Sequence, residues 1–127
     1  MSTERTAEKA VPDCLFCRII AGELPATVVH ETPTIVAFRD IKPQSATHVL
    51  VVPREHHEDA VALATEAPSL LADVVRTAGE VAEGEGIAES GYRMVFNTGE
   101  DAGRIVFHVH LHLLGGEPLG QFGRPVG

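Results

Sequence analysis

The chain has 127 residues, 44% of them apolar and 22% charged, which suits one globular domain with a single hydrophobic core. A formal net charge of −8 excludes the basic footprint of a protein that grips nucleic-acid polymers, although backbone N–H groups and histidines can still hold a single phosphate. No apolar run approaches the length of a membrane span, and Met1–Ala10 lacks the apolar stretch of a signal peptide, so a cytoplasmic setting is expected.

Residues 1–12 read as a disordered lead-in, 13–116 as the domain and 117–127 as a tail rich in Gly and Pro. Asp13 is the expected cap of a short helix in which Phe16, Ile19 and Ile20 share a face, with Gly22 as the stop. In a reducing compartment Cys14 and Cys17 are expected as thiols or metal ligands rather than a disulfide. Thr27–Glu31 and Thr34–Arg39 read as strands joined at Thr32-Pro33, the second rich in β-branched and aromatic residues. Asp40–Ala46 is a loop. Thr47–Val52 is almost continuously apolar, the pattern of a central strand, stopped at Pro53. A short helix is possible through Ala60–Leu63.

The main helix is expected from Thr65 or Pro68 to about Glu83, because Leu70, Leu71, Val74, Val75, Ala78, Val81 and Ala82 recur at helical spacing and Gly84 and Gly86 follow. Tyr92–Asn97 reads as a fourth strand and Thr98–Gly103 as a glycine-bearing loop. The order of elements is that of an α+β domain with a mostly antiparallel sheet.

The run His108-Val109-His110-Leu111-His112-Leu113-Leu114 alternates strictly, so a β-strand would carry three imidazoles on one face, about 6–7 Å apart, and bury Val109, Leu111 and Leu113 on the other. Gly115-Gly116 ends it. Three histidines on an otherwise apolar strand point either to a metal site or to nucleophilic and acid–base chemistry by neutral imidazole.

That run also matches a His-φ-His-φ-His-φ-φ signature, φ being apolar. Phe38–Gln44, Thr47–Pro53, Tyr92–Asn97 and the Gly115-Gly116 ending look like further linked motifs of the same kind. On these, residues 14–116 resemble the histidine triad (HIT) family, in its Hint-like branch. The resemblance implies the α+β HIT fold, an antiparallel β-sheet packed by one long and one short α-helix. It implies a homodimer whose two sheets continue across the interface. It also implies cleavage of nucleoside monophosphates substituted on the α-phosphate, such as purine nucleoside phosphoramidates.

In that reading His110 attacks phosphorus to form a nucleotidyl-histidine that water then resolves, and the main-chain carbonyl of His108 fixes its tautomer. His112 contacts the phosphate and helps protonate the leaving group, and His48 completes the histidine cluster. Asp40 accepts ribose hydroxyls, Phe16, Ile19, Phe38 and Ile41 line the base, and Asn97 and the Gly103 loop reach ribose and phosphate. Without the resemblance, His48 reads as a core histidine, Asp40 equally as a turn cap, and the four apolar residues as plain core.

One departure stands out. The branch usually carries Gly-Gln-Ser or Gly-Gln-Thr before the last strand, where this chain has Gly103-Arg104-Ile105. Ile105 cannot donate the hydroxyl contact, a loss on the order of 1.5–3 kcal/mol. Arg104 either compensates through its guanidinium or points to solvent.

Many bacterial members resembling this chain bind zinc through a CxxC pair, the histidine of a Pro-x-x-His run and the first triad histidine. Cys14, Cys17, His56 and His108 would form such a closed, structural Cys₂His₂ site, with no metal required for catalysis. His57 is the alternative in register, and two metal-free thiols the alternative in kind. For His108 to serve both sites, a local twist or bulge is needed, since pure alternation aims all three rings together. Rival functions are a dinucleoside polyphosphate hydrolase, a nucleotide-binding regulatory module with low turnover, and a hydrolase with zinc on all three triad histidines.

Overall fold

Every residue of β3 (Thr47–Pro53) is buried, which places this strand at the centre of the sheet. The computed structural model describes residues 11, 13–103 and 106–121. Around β3 stand β1 (Val28–Glu31), β2 (Ile35–Arg39), β4 (Tyr92–Val95) and β5 (Leu111–Gly115), in the spatial order β1-β2-β3-β5-β4 and antiparallel throughout. The expected lead-in and the end of the tail (1–10, 12 and 122–127) lie outside the described residues, as do Arg104 and Ile105.

Alternation along β2, β3 and β5 sends side chains to two different cores. Ile35, Ala37, Val49, Val51, Leu111 and Leu113 meet Val74, Ala78, Val81 and Ala82 of the long helix α3 (Pro68–Gly84). Val36, Phe38, Leu50 and Val52 face the other way and meet Cys14, Phe16 and Cys17 around α1 (Leu15–Ile20). The helix α1 has only six residues, so it covers part of this second face. The uncovered part is where the site lies.

The fold class is the expected one, with local differences. Cys14, not Asp13, caps α1: its Sγ accepts the Cys17 N–H at 3.4 Å. The short helix expected through Ala60–Leu63 extends to Glu66 as α2 (Ala60–Glu66), capped by the Asp59 carboxylate on the Ala62 N–H. Along α3, Val75 is exposed and Thr77 buried, a rotation of the expected stripe. Pro53 is the last residue of β3 instead of the first residue beyond it.

The histidine run is a strand only in its second half, and it bends where the double role expected of His108 requires. Ladder pairing with β3 and β4 is confined to Leu111–Gly115, and the chain bends at His108. The Val109 N–H donates to the His57 carbonyl at 2.8 Å rather than to a strand. Val109, Leu111 and Leu113 are still buried as alternation requires. The ring of His108 leaves the shared face, and its surroundings explain why.

Candidate active site

His48, Leu50 and Val52 share the α1 side of β3, and the register sets His112 of β5 opposite Leu50. Residues diagonal to one another across such a pair are within reach of long or aromatic side chains. His48 Nε2 and His112 Nδ1 accordingly meet at 2.9 Å. His110, just before β5, puts its ring centroid 4.9 Å from that of His112 and 4.9 Å from that of Phe16, edge-on to the phenyl.

Backbone partners assign the protons, since an amide N–H only donates and a carbonyl only accepts. The Gln44 N–H donates to His48 Nδ1 at 3.0 Å. Neutral His48 therefore holds its proton on Nε2 and donates to His112 Nδ1, leaving His112 protonated at Nε2. The Nδ1–H of His110 donates to the His108 carbonyl at 2.8 Å, so Nε2 is its unprotonated nitrogen. His108 donates from Nε2–H to the Pro53 carbonyl at 2.8 Å, so its Nδ1 holds a lone pair.

Burial favours the neutral form of His48, His108 and His112. It pushes His112 down to about 4, helped by the neighbouring His110 and His48. Burial also lowers His48, opposed by the Asp40 carboxylate. Asp40, His48 and His112 lie close enough to be read as a metal site. The Gln44 amide argues against that, because it leaves His48 Nε2 protonated and without a lone pair for an ion.

A cavity of about 610 Å³ opens in front of these rings. Phe16, Ile19, Phe38, Asp40, Ile41, Asn97, Gly103, His110 and His112 all line it. His48 does not, but reaches the cavity through His112. Ile41 is 90% exposed, a rim residue rather than a buried wall. Asp40 caps its turn, with Oδ1 accepting the Lys42 N–H at 2.8 Å, and its Oδ2 stands 3.4 Å from His48 Nε2.

Leu50, Pro25, Val106, Lys42 and Gln44 also line the cavity and were not singled out by sequence. Leu50 had a signal, its spacing of two from His48 on one strand. Pro25 and Val106 are brought in by loop paths for which no local pattern exists.

Behind the cavity lies the second cluster. Cys17 Sγ is 3.4 Å from His56 Nδ1, and His108 Nδ1 is 3.4 Å from Cys14 Sγ and 3.5 Å from Cys17 Sγ. All four ligand atoms fall within 4.8 Å of one another. A tetrahedral ion bonded at roughly 2.3 Å to sulfur and roughly 2.1 Å to nitrogen sets S and N about 3.6 Å apart, so the residues fit such an ion. Burial lowers His56 and holds His108 at about 4, which keeps both lone pairs available. It also pushes the Cys17 thiol up to about 11, so an ion entering there displaces a proton. His57, the alternative in register, is turned away: its Nδ1 meets Glu66 Oε1 at 2.7 Å and its Nε2 meets Glu55 Oε1 at 3.4 Å.

Among the described residues, no helix is long and apolar enough to cross a membrane. The HIT domain family matches residues 21–119 of the chain. The purine nucleoside phosphoramidase of Escherichia coli K12 is 41% identical over 108 residues, which span 85% of this chain and 91% of that protein. A HIT family hydrolase structure from Clostridium thermocellum superimposes with a TM-score of 0.84 at 42% identity, covering 88% of this chain and 97% of the other. A HIT family hydrolase from Legionella pneumophila gives a TM-score of 0.82 at 46% identity, over 85% and 96% of the two chains. The chain belongs to the HIT family and is one of its enzymes.

Proposed function

We propose that this enzyme hydrolyses purine nucleoside phosphoramidates through a nucleotidyl-histidine intermediate on His110. The observation that carries the reading is the 2.8 Å bond from His110 Nδ1–H to the His108 carbonyl. It holds the ring in the tautomer whose Nε2 lone pair can attack phosphorus. In the first step the Nε2–P bond forms as the P–N bond to the amine breaks. His112 Nε2–H donates a hydrogen bond to the departing group, and the nitrogen takes its proton from solvent at the cavity mouth and leaves as the free amine. Water then adds to phosphorus, the P–Nε2 bond breaks and returns the lone pair to His110 Nε2, and the nucleoside monophosphate leaves as the water proton passes to solvent.

The remaining lining has matching tasks. Phe16, Ile19, Phe38 and Ile41 offer apolar surface to the base, and the Asp40 carboxylate offers acceptor oxygens to ribose hydroxyls. Asn97 and the Gly103 loop reach ribose and phosphate. Arg104 and Ile105 take the places where the branch usually has Gln and Ser or Thr, so leaving-group preference is expected to differ. Cys14, Cys17, His56 and His108 would hold a structural zinc ion, which supplies cross-linking of the N-terminal segment to the sheet and no chemistry at phosphorus. The 41% identity to the Escherichia coli purine nucleoside phosphoramidase supports the substrate class. The edge position of β4 supports a homodimer with the sheet continued across it.

Incubation with adenosine 5′-phosphoramidate tests the reading. AMP and ammonia should be released, and acid-free quenching should trap a nucleotidyl adduct that His110→Ala lacks. AMP binding without turnover would support a low-turnover binding module instead, and faster cleavage of a diadenosine polyphosphate would shift the substrate class.

A further inference from the structure

The peptide unit between His108 and Val109 is gripped at both of its polar atoms. Its carbonyl accepts the Nδ1–H of His110 at 2.8 Å. Its N–H donates to the His57 carbonyl at 2.8 Å. Each grip leads to the cysteine cluster. The His108 ring, fully buried, is anchored at Nε2 by the Pro53 carbonyl at 2.8 Å, and its Nδ1 faces Cys14 Sγ and Cys17 Sγ at 3.4 and 3.5 Å. His57 follows directly on His56, whose Nδ1 lies 3.4 Å from Cys17 Sγ and whose ring centroid is 4.7 Å from that of His108.

We propose that Cys14, Cys17 and His56 are positioning residues for the nucleophile, setting the tautomer and angle of His110 through the His108–Val109 peptide when a metal ion joins them to His108. This rests on the reading of His110 as nucleophile. Once the cluster is joined, neither His108 nor the His56-His57 segment can move without breaking a coordinate bond, so the peptide plane keeps one orientation. Without it, rotation of that plane withdraws the acceptor from His110 Nδ1. An imidazole lacking that acceptor exchanges between tautomers, and the Nε2–H form has no lone pair to offer phosphorus. A misplacement of about 1 Å at a reacting atom costs on the order of a hundredfold in rate, so a small rotation is enough.

The test uses the full chain, loaded with zinc and after dialysis against a chelator, at one near-neutral pH. Ring ¹H–¹⁵N correlation spectra report the His110 tautomer, and kcat and KM for adenosine 5′-phosphoramidate are measured on the same samples. The loaded chain should show the Nδ1–H form alone. The stripped chain should show a mixture with the Nε2–H form, with kcat lower by about tenfold or more and KM within about twofold. His56→Gln should reproduce the stripped behaviour with zinc present, and His56→Cys, which restores a fourth ligand, should return both readouts. A folded, stripped chain that keeps the single Nδ1–H form and the loaded kcat would overturn the proposal. Should stripping unfold the chain, zinc-loaded His56→Gln carries the same comparison on its three remaining ligands. Turnover retained in His110→Ala would defeat the nucleophile reading alone, because the spectra still decide whether the cluster sets the ring.

Discussion

Nε2 of His48 stands 2.9 Å from Nδ1 of His112, and a backbone amide decides which of them holds the proton between them. The Gln44 N–H occupies His48 Nδ1 at 3.0 Å, so the proton sits on His48 and His112 is left with Nε2–H on the cavity side. One amide in the Asp40–Ala46 loop thus determines what His112 presents to a substrate.

Replacing His48 by Ala removes the donor to His112 Nδ1 and lets that ring take either tautomer. The expected loss is one hydrogen bond of about 1–1.5 kcal/mol at the transition state, about tenfold in kcat. KM should change little, because His48 does not line the cavity. Steady-state kinetics on adenosine 5′-phosphoramidate check the split; a pure KM effect would contradict the relay.

Stability should fall as the pH drops below neutrality. Burial holds His112 at about 4 in the fold, against an ordinary value of 6.5, and lowers His48 as well. Between those values the unfolded chain binds more protons than the folded one, so stability is full above 6.5 and declines as pH falls toward 4. Urea midpoints measured on chelator-treated protein from neutral pH downward should show this decline, with a flatter slope in His112→Gln.

Removing metal from the four-residue cluster should lower the melting temperature. An ion that binds only the folded chain stabilises it by about 4 kcal/mol at a thousand times its dissociation constant, a shift on the order of 10 °C for a chain of this size. Thermal melts with and without chelator read the shift, and a thiol reagent should find Cys14 and Cys17 more reactive after stripping. Identical melts would show that no ion ties the cluster together.

Gly115→Ala should destabilise the end of the histidine strand. A Cβ there would stand 2.8 Å from Ile87 Cδ1 and 3.3 Å from both the Gly91 carbonyl and Tyr92 Cβ. Ile87 belongs to the packed core under α3 and cannot withdraw at no cost. Overpacking of this kind costs about 1–3 kcal/mol, which denaturant unfolding would measure.

Much of the site was legible from local pattern. Period-two alternation places Leu111 and Leu113 in one core and His112 on the opposite face, and the structure keeps that division. The same rule, applied to β3, carries Leu50 with His48. The family motifs brought Asp40, Asn97 and Gly103 to attention, and all three line one cavity. Asp13 and Cys14 are neighbours and either could cap α1, and only the helix geometry shows whose side chain reaches the Cys17 N–H.

The sequence alone determined which residue types stand on which face of each strand, because side-chain direction along an extended chain depends on nothing beyond the next residue. Alternation by itself left open whether the His108 ring leaves the triad face, whether His56 or His57 meets the cysteines, and where the protons lie, although the resemblance had pointed to His56. Those depend on partners far away in the chain: Cys14 is 94 positions from His108, Cys17 is 39 from His56, and His48 is 64 from His112. Only the packed fold brings such groups within hydrogen-bond distance, and only there does a buried ring have to satisfy each nitrogen with the one partner within reach.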